Sequence, residues 1–233
     1  MKVAIMQPYF LPYIGYFQLI KAVDTFVLYD DVNYINKGWI NRNNILVNDK
    51  AFMFTIPLKD ASQNKLINQI ELSDDPKWRT KLLQTVGQSY KKAPNFNVVY
   101  PILERVLNGA SVRVCDLIFE SIQEINQYLG ITTTIVRSSE IYQNQNLKAQ
   151  DRIIDICGQE NAQLYINPIG GQALYDQAVF KKHQMTLRFI HTKPLTYKQF
   201  QNEYVPFLSI LDVLMFCSVA EINHFLDLYK LVE

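Results

Sequence analysis

Lys2-Val-Ala-Ile-Met-Gln-Pro-Tyr-Phe-Leu-Pro-Tyr-Ile-Gly-Tyr-Phe-Gln-Leu-Ile20 is the stretch whose reading decides the fold. Val3 to Met6 has the continuous apolar character of a buried strand. Pro8 ends strand pairing because it has no N–H, and Pro12 suits the first turn of a helix, where an N–H would be unpaired anyway. The spacing of Ile14, Phe17, Leu19 and Ile20 predicts a helix from about 13 to 23 with one apolar face. Gly15, one turn in, gives up helix propensity for close approach by another backbone or a ligand. A strand, a sharp loop and a helix N-terminus are how α/β proteins build anion sites. The same residues also read as a first βα unit, rich in aromatics for packing alone.

Working outward, 233 residues, about half of them hydrophobic, are enough for a sizeable core in a globular chain. A formal net charge of +1, with acids and bases interspersed, argues against a duplex nucleic-acid binder held by phosphate charge. No apolar run is long enough to span a bilayer, and the start lacks the pattern of a secretory signal. Cys115, Cys157 and Cys217 are widely spaced with no CxxC, so the reading is a cytoplasmic protein without structural zinc. His183, His191 and His224 are scattered and read as surface or packing residues, His191 being best placed to reach a strand end.

Taken in order, Thr25 to Tyr29 is a second buried strand ending in Asp30-Asp31, carboxylates at a strand's C-terminal edge. The segment from Val32 to Asn44 is too polar for a core and too aromatic for a solvated linker. It offers flat faces on Tyr34 and Trp39, cations on Lys37 and Arg42, and amides on Asn41 and Asn43. It also reads as an ordered surface loop pinned by Trp39. A turn placing Trp39 and Arg42 on one side would leave the guanidinium free for phosphate or carboxylate, whereas pairing with Asp30 or Asp31 would make Arg42 a loop brace. Residues 44–47 and 52–56 predict a β-hairpin about Asn48-Asp-Lys-Ala51. Asp75-Pro76 predicts a helix start with Asp75 as cap, and two further helices follow over 96–107 and 112–129, the latter capped by Ser111 and stopped by Gly130. Strands are expected again at 132–136, 163–166 and 187–190, with a helix over 147–157 between the first two. Asn167-Pro-Ile-Gly-Gly171 is a second strand–loop–helix unit, its helix expected from Ala173, in which Gly170 and Gly171 would allow positive φ and an anion nest. Ser209 is the expected cap of a last helix containing Asp212, a carboxylate placed to orient a cation or to complement the helix dipole. The expected fold is α/β: a largely parallel sheet of about five strands with flanking helices, a small β-hairpin and an inserted helical region near 76–129, all in one domain over 1–233. The turn at 7–15, the loop 30–43 and the turn at 167–172 are expected to converge on one cleft.

These motifs resemble the WbqC-like family over essentially the whole chain. Gln7, Pro8, Pro12, Gly15 and Tyr16 resemble its QPxxxPxxGY opening. Asp30, Asp31, Val32, Tyr34, Lys37, Gly38, Trp39, Asn41, Arg42 and Asn43 resemble its second motif. Gly170, Gly171 and Tyr175 resemble a third, and Tyr197, Gln199, Phe200, Phe207, Leu208, Ser209, Ile210 and Asp212 a fourth. Met6 stands where many members have His. The opening also loosely resembles the HxGH turn of nucleotidylyltransferases, with Tyr13 and Tyr16 flanking Gly15 in place of the histidines. The family resemblance implies bacterial surface-polysaccharide biosynthesis. From it we expect an amide-forming enzyme joining an acyl group, such as glycyl, to the amine of a nucleotide-linked amino sugar. The alternatives are a thioester-dependent N-acyltransferase and a non-catalytic nucleotide-sugar binder. Whether ATP with magnesium, a thioester or an aminoacyl donor supplies the acyl group is open. On this reading Asp30 or Asp31 accepts a proton, Arg42 and Lys37 hold phosphate or acyl carboxylate, and Trp39 or a tyrosine stacks on base or sugar. Gln7, Tyr9, Tyr13, Gly15, Tyr16, Tyr34, Asn41, Asn43, Gly170, Gly171, Tyr175, Tyr197, Gln199, Ser209 and Asp212 complete the expected binding surface.

Overall fold

The computed structural model describes residues 1–201 and 203–233. Its strands are β1 (Lys2–Met6), β2 (Thr25–Leu28), β3 (Arg42–Val47), β4 (Lys50–Thr55), β5 (Leu58–Lys59), β6 (Glu71–Leu72), β7 (Thr134–Val136), β8 (Leu164–Pro168), β9 (Thr186–Thr192) and β10 (Tyr229–Val232). Its α-helices are α1 (Ile14–Lys21), α2 (Lys77–Tyr90), α3 (Phe96–Asn108), α4 (Val114–Leu129), α5 (Ala149–Gln159), α6 (Gln177–Lys182), α7 (Ile210–Phe216) and α8 (Val219–Leu226). The main sheet has the order β10-β9-β8-β1-β2-β7. All neighbours are parallel except β9 and β10. The strands β3–β4 and β5–β6 form two small antiparallel ribbons.

The chain runs from β1 outward through β2 to β7, then returns to the other side of β1 to lay down β8 and β9. The connections therefore diverge at the C-terminal end of β1, between β1 and β8. In open parallel sheets such a switch point is where a crevice opens for ligands.

Strand alternation divides the core. Val3, Ile5, Val27, Tyr165, Leu187 and Phe189 pack with Ile153, Ile154 and Cys157 of α5 and Phe180 of α6. Ala4, Phe26, Leu28, Ile166 and Ile190 join the larger cluster on the opposite face, with α1, α4 and α8. Burial on both faces is why these strands read as unbroken apolar runs. Most of the buried apolar side chains of α2, α3 and α4 belong to that same larger cluster.

The differences from expectation are local. The hairpin turn is two residues long, Asn48 and Asp49 at φ 47° and 65°, so Lys50 and Ala51 belong to β4. This left-handed pair suits the twist of a tight hairpin. Asp75 accepts the Lys77 N–H at 3.0 Å, but Pro76 occupies the cap position of α2. Ser111 does not cap α4, which starts behind Arg113; its hydroxyl donates to Glu120 at 2.6 Å instead. After β8 the chain makes a 3₁₀ turn over Ile169–Leu174, and α6 begins only behind Asp176, whose carboxylate caps Ala178. β10 is an additional sheet strand, a half-exposed antiparallel edge with no buried run to announce it.

The opening loop is fixed by a single carbonyl. Leu11 has a left-handed φ of 44° and a buried side chain. Its carbonyl accepts the Asn43 amide at 2.8 Å and the Ser209 hydroxyl at 2.7 Å. Main-chain bonds run alongside, Phe10 N–H to Ile40 O, Ser209 N–H to Asn44 O and Ile210 N–H to Pro12 O. Asn43→Ala is expected to lower stability by about 1 kcal/mol, because one donor still serves the carbonyl, and Ser209→Ala by about 2 kcal/mol, because it also removes the cap of α7. The double variant leaves it buried and orphaned, so its loss should exceed the sum; equilibrium urea unfolding of all three checks this.

Candidate functional site

The C-terminal ends of the parallel strands carry most of the chemistry-bearing residues. After β1, the Gln7 carbonyl accepts the hydroxyl of buried Tyr16 at 2.9 Å. The Tyr9 ring lies half-buried 5.7 Å from that of Tyr16. Tyr13 is the residue before α1, and its ring folds back over Gly15. A Cβ on Gly15 would come within 2.5 Å of the ring and 3.1 Å of the Thr192 hydroxyl. The close approach that Gly15 permits is thus made by a tyrosine ring of the same loop.

After β2 the two adjacent carboxylates have different surroundings. Asp31 is paired with Arg152 of α5, both side chains almost fully buried. It also accepts the Gln145 amide at 2.9 Å and the Ser139 hydroxyl. The guanidinium of Arg152 donates to Asn144 at 2.8 Å and lies 4.9 Å over the Tyr29 ring. Asp30 accepts the Ser138 hydroxyl at 2.7 Å and the Ser139 N–H at 3.1 Å. Burial pushes its carboxyl up to about 6, against the pull of these bonds, with Asp31 adding to the rise. Arg152, Ser138 and Ser139 are functional neighbours that sequence reading missed. Arg152 lies on a helix a hundred residues away in a pattern that gave only Ile153, Ile154 and Cys157 as inward, and a buried arginine leaves no local mark.

In the next loop, the Tyr34 hydroxyl donates to Asn41 at 3.0 Å and the Asn41 amide donates to the Ile56 carbonyl at 2.7 Å. These residues, like Asn43, build the loop rather than face a crevice. Lys37 is exposed at φ 59° and Trp39 is half exposed. Arg42 donates through Nε to the Gly38 carbonyl at 2.9 Å, and its guanidinium lies 5.7 Å from the Trp39 ring centroid. Arg42 does not pair with Asp30 or Asp31; that partner is Arg152 for Asp31. Among the described residues no acceptor bonds the two terminal nitrogens of Arg42.

The glycine turn after β8 is not a nest. Neither Gly170 nor Gly171 has positive φ. Gly171 is small because the Asn167 amide lies on it, where a Cβ would sit 2.1 Å from Nδ2. The Tyr175 hydroxyl meets that of Tyr165 at 3.3 Å. Among the described residues no hydrogen bond joins this turn to the opening loop or to 30–43, although β8 lies beside β1 in the sheet. The first, second and last motifs do meet, at Leu11.

Asp212 neither orients a cation nor stands in solvent. Fully buried, it accepts the hydroxyls of Tyr90 at 2.8 Å and Tyr197 at 2.6 Å and the Gln199 amide at 2.7 Å. Burial raises its pKa against these three bonds. Tyr90 in turn accepts the Leu46 N–H at 2.7 Å, so the carboxylate ties α2, α7, β3 and the 197–205 connection together.

Residues 7–224 match the WbqC-like protein family. The chain belongs to this family. The protein Rv1507c of Mycobacterium tuberculosis, itself uncharacterized, is 28% identical over 215 residues, covering 91% of this chain and 92% of that protein. No solved structure matches the chain. In this WbqC-like protein Lys37 and Trp39 are exposed, Arg42, Tyr9 and Tyr13 are partly buried, and Asp30, Asp31 and Arg152 are buried.

Asp30 gives a pH test with a definite sign. Its folded pKa is raised, so the folded chain keeps a proton that the unfolded chain releases between the ordinary 3.8 and about 6. Stability should therefore fall as pH rises through that window, and ionised Asp30 costs the fold above it. Chemical unfolding of wild type and Asp30→Asn across the window should show the variant gaining on wild type up to about pH 6 and a constant difference beyond.

Proposed function

We propose that this WbqC-like protein binds a nucleotide-linked amino sugar at the C-terminal edge of its sheet and forms an amide between the sugar amine and an acyl group, glycyl being the simplest amino-acyl case. The observation that carries the reading is the strand order: the connections diverge at β1, beside a loop that presents Arg42 over Trp39 with both terminal nitrogens unengaged among the described residues. A fork of two N–H donors suits a phosphate or a carboxylate, and Lys37 adds charge on the same loop. Asp30, a carboxyl pushed up to about 6 at the end of β2, supports acceptance of the proton that the sugar ammonium must lose before its neutral amine attacks. Acyl activation by ATP with magnesium and delivery from a thioester are both compatible with these residues.

A second reading, a nucleotide-sugar binder without chemistry, is favoured by one observation. Asp30, Asp31 and Asp212 are all buried and all engaged by protein donors. Incubation with a panel of nucleotide-linked amino sugars, glycine with ATP and magnesium, or glycyl thioester, followed by mass spectrometry, separates the two. An N-glycylated sugar supports the enzyme; tight binding with no product under any donor supports the binder.

Arg42→Lys keeps the charge and loses the planar fork, so nucleotide-sugar affinity should fall while the melting temperature holds. Arg42→Ala should cost about 2–5 kcal/mol of binding if the ion pair with the ligand is desolvated. Calorimetry beside thermal melts checks both; unchanged affinity with a lowered melting temperature would return Arg42 to the role of loop brace.

A further inference from the structure

Phe207 is at odds with the fold around it. It is 74% exposed, and its backbone is left-handed at φ 58°. Its neighbours on the C-terminal side are buried: Leu208 in the core, and Ser209 as cap of α7 and donor to Leu11. A glycine at 207 would make the same turn without strain, and a polar side chain would avoid holding a phenyl ring in water. The chain does neither, so the ring's use lies outside the protein's own packing.

The ring's surroundings indicate that use. Its centroid is 6.0 Å from that of Tyr13, with the planes inclined at 57°. Tyr13 lies against Gly15 in the first turn of α1, where the hydroxyl of Thr192, the last residue of β9, also approaches. The two rings thus stand as an open V at the C-terminal edge of the parallel sheet, anchored through Ser209 and Pro12 to the opening loop that follows β1. A pair this small suits one flat group rather than a macromolecular interface.

We infer that Phe207 and Tyr13 form the face on which the nucleobase of the nucleotide sugar stacks, Phe207 being the exposed half. This inference rests on the nucleotide-sugar reading above and adds the location of the base. Phosphate recognition is left to the Trp39–Arg42 loop.

The test uses wild type, Phe207→Gly, Phe207→Leu and Phe207→Trp of the full chain. Calorimetry with UDP-, dTDP- and GDP-linked hexosamines selects the tightest probe, and the matching hexosamine 1-phosphate is titrated alongside. Loss of one base–aromatic stack should weaken the nucleotide-linked probe by roughly 5- to 150-fold in the Gly and Leu variants. The Trp variant should retain wild-type affinity, and the 1-phosphate should bind all four proteins alike. The Gly variant should melt at or above the wild-type temperature, since it relieves the left-handed strain. If wild type binds a nucleotide sugar and the Gly and Leu variants bind it equally well, the base does not stack here and the inference is overturned while the nucleotide-sugar reading stands. If affinity and melting temperature fall together in both variants, Phe207 serves the fold and the inference is likewise overturned. If wild type binds none of the nucleotide-linked probes, the underlying reading fails and the stack with it.

Discussion

The carbonyl of Leu11, held by Asn43 and Ser209, is the constraint on which the arrangement of the strand ends depends. A left-handed leucine costs on the order of 1–2 kcal/mol. Two hydrogen bonds of about 1 kcal/mol each, with burial of the leucyl side chain, offset it. The conformation points the carbonyl at two side chains from segments 32 and 198 residues away in the chain. Once they are in place, the loop after β1, the start of β3 and the cap of α7 form one rigid piece. The ends of the parallel sheet are thereby framed by elements that local propensity alone would leave independent.

Asp212 performs the corresponding task for the helices. A carboxylate removed from water with no guanidinium or ammonium beside it would be too costly without full hydrogen bonding. Two tyrosine hydroxyls and one carboxamide meet that need, Tyr90 from α2 and Tyr197 with Gln199 from the connection before α7. The gain is geometric. Tyr90 carries the connection on to the Leu46 N–H, so the hairpin is tied to α2 and, through Asp212, to α7. Networks of this kind favour one arrangement because any other leaves a member unpaired.

What the sequence revealed follows from how local each signal is. Unbroken apolar strands at 3–6, 25–29 and 163–166, and the turns that bound them, depend on side chains within a few residues, so the parallel α/β core was legible. β10 was not, because an edge strand paired on one side carries no buried run. The caps at Asp75 and Ser111 were displaced by one and two residues because the choice among nearby polar residues is decided by tertiary partners, such as Glu120 for Ser111. The glycines misled for a related reason. Gly15 and Gly171 are small to admit Tyr13 and Asn167, and a close approach by a side chain leaves the same mark in sequence as one by a phosphate. The polar loop residues divided likewise: Asn41, Asn43 and Tyr34 hold the loop, while Trp39 and Arg42 face outward, and only long-range acceptors such as Leu11 O and Ile56 O decide which is which.

The pair Asp30-Asp31 shows how such acceptors and donors turn identical residues into different groups. Both sit at the end of β2 and both are buried. Asp31 receives the one guanidinium of the cluster, from Arg152, and that guanidinium is already spent on Asn144 and on the Asp31 main chain. Asp30 receives the Ser138 hydroxyl and the Ser139 N–H and no guanidinium among the described residues, and burial outweighs these bonds, pushing its carboxyl up to about 6. One carboxylate is thus the ion-paired brace of α5 against the end of β2, and its neighbour is a carboxyl that burial pushes up to about 6. Since Ser138 and Ser139 bind Asp30 from the turn after β7, gain or loss of its proton is felt by the turn as well as by any ligand. The protonation of Asp30 at the end of β2 is therefore coupled to the turn that follows β7.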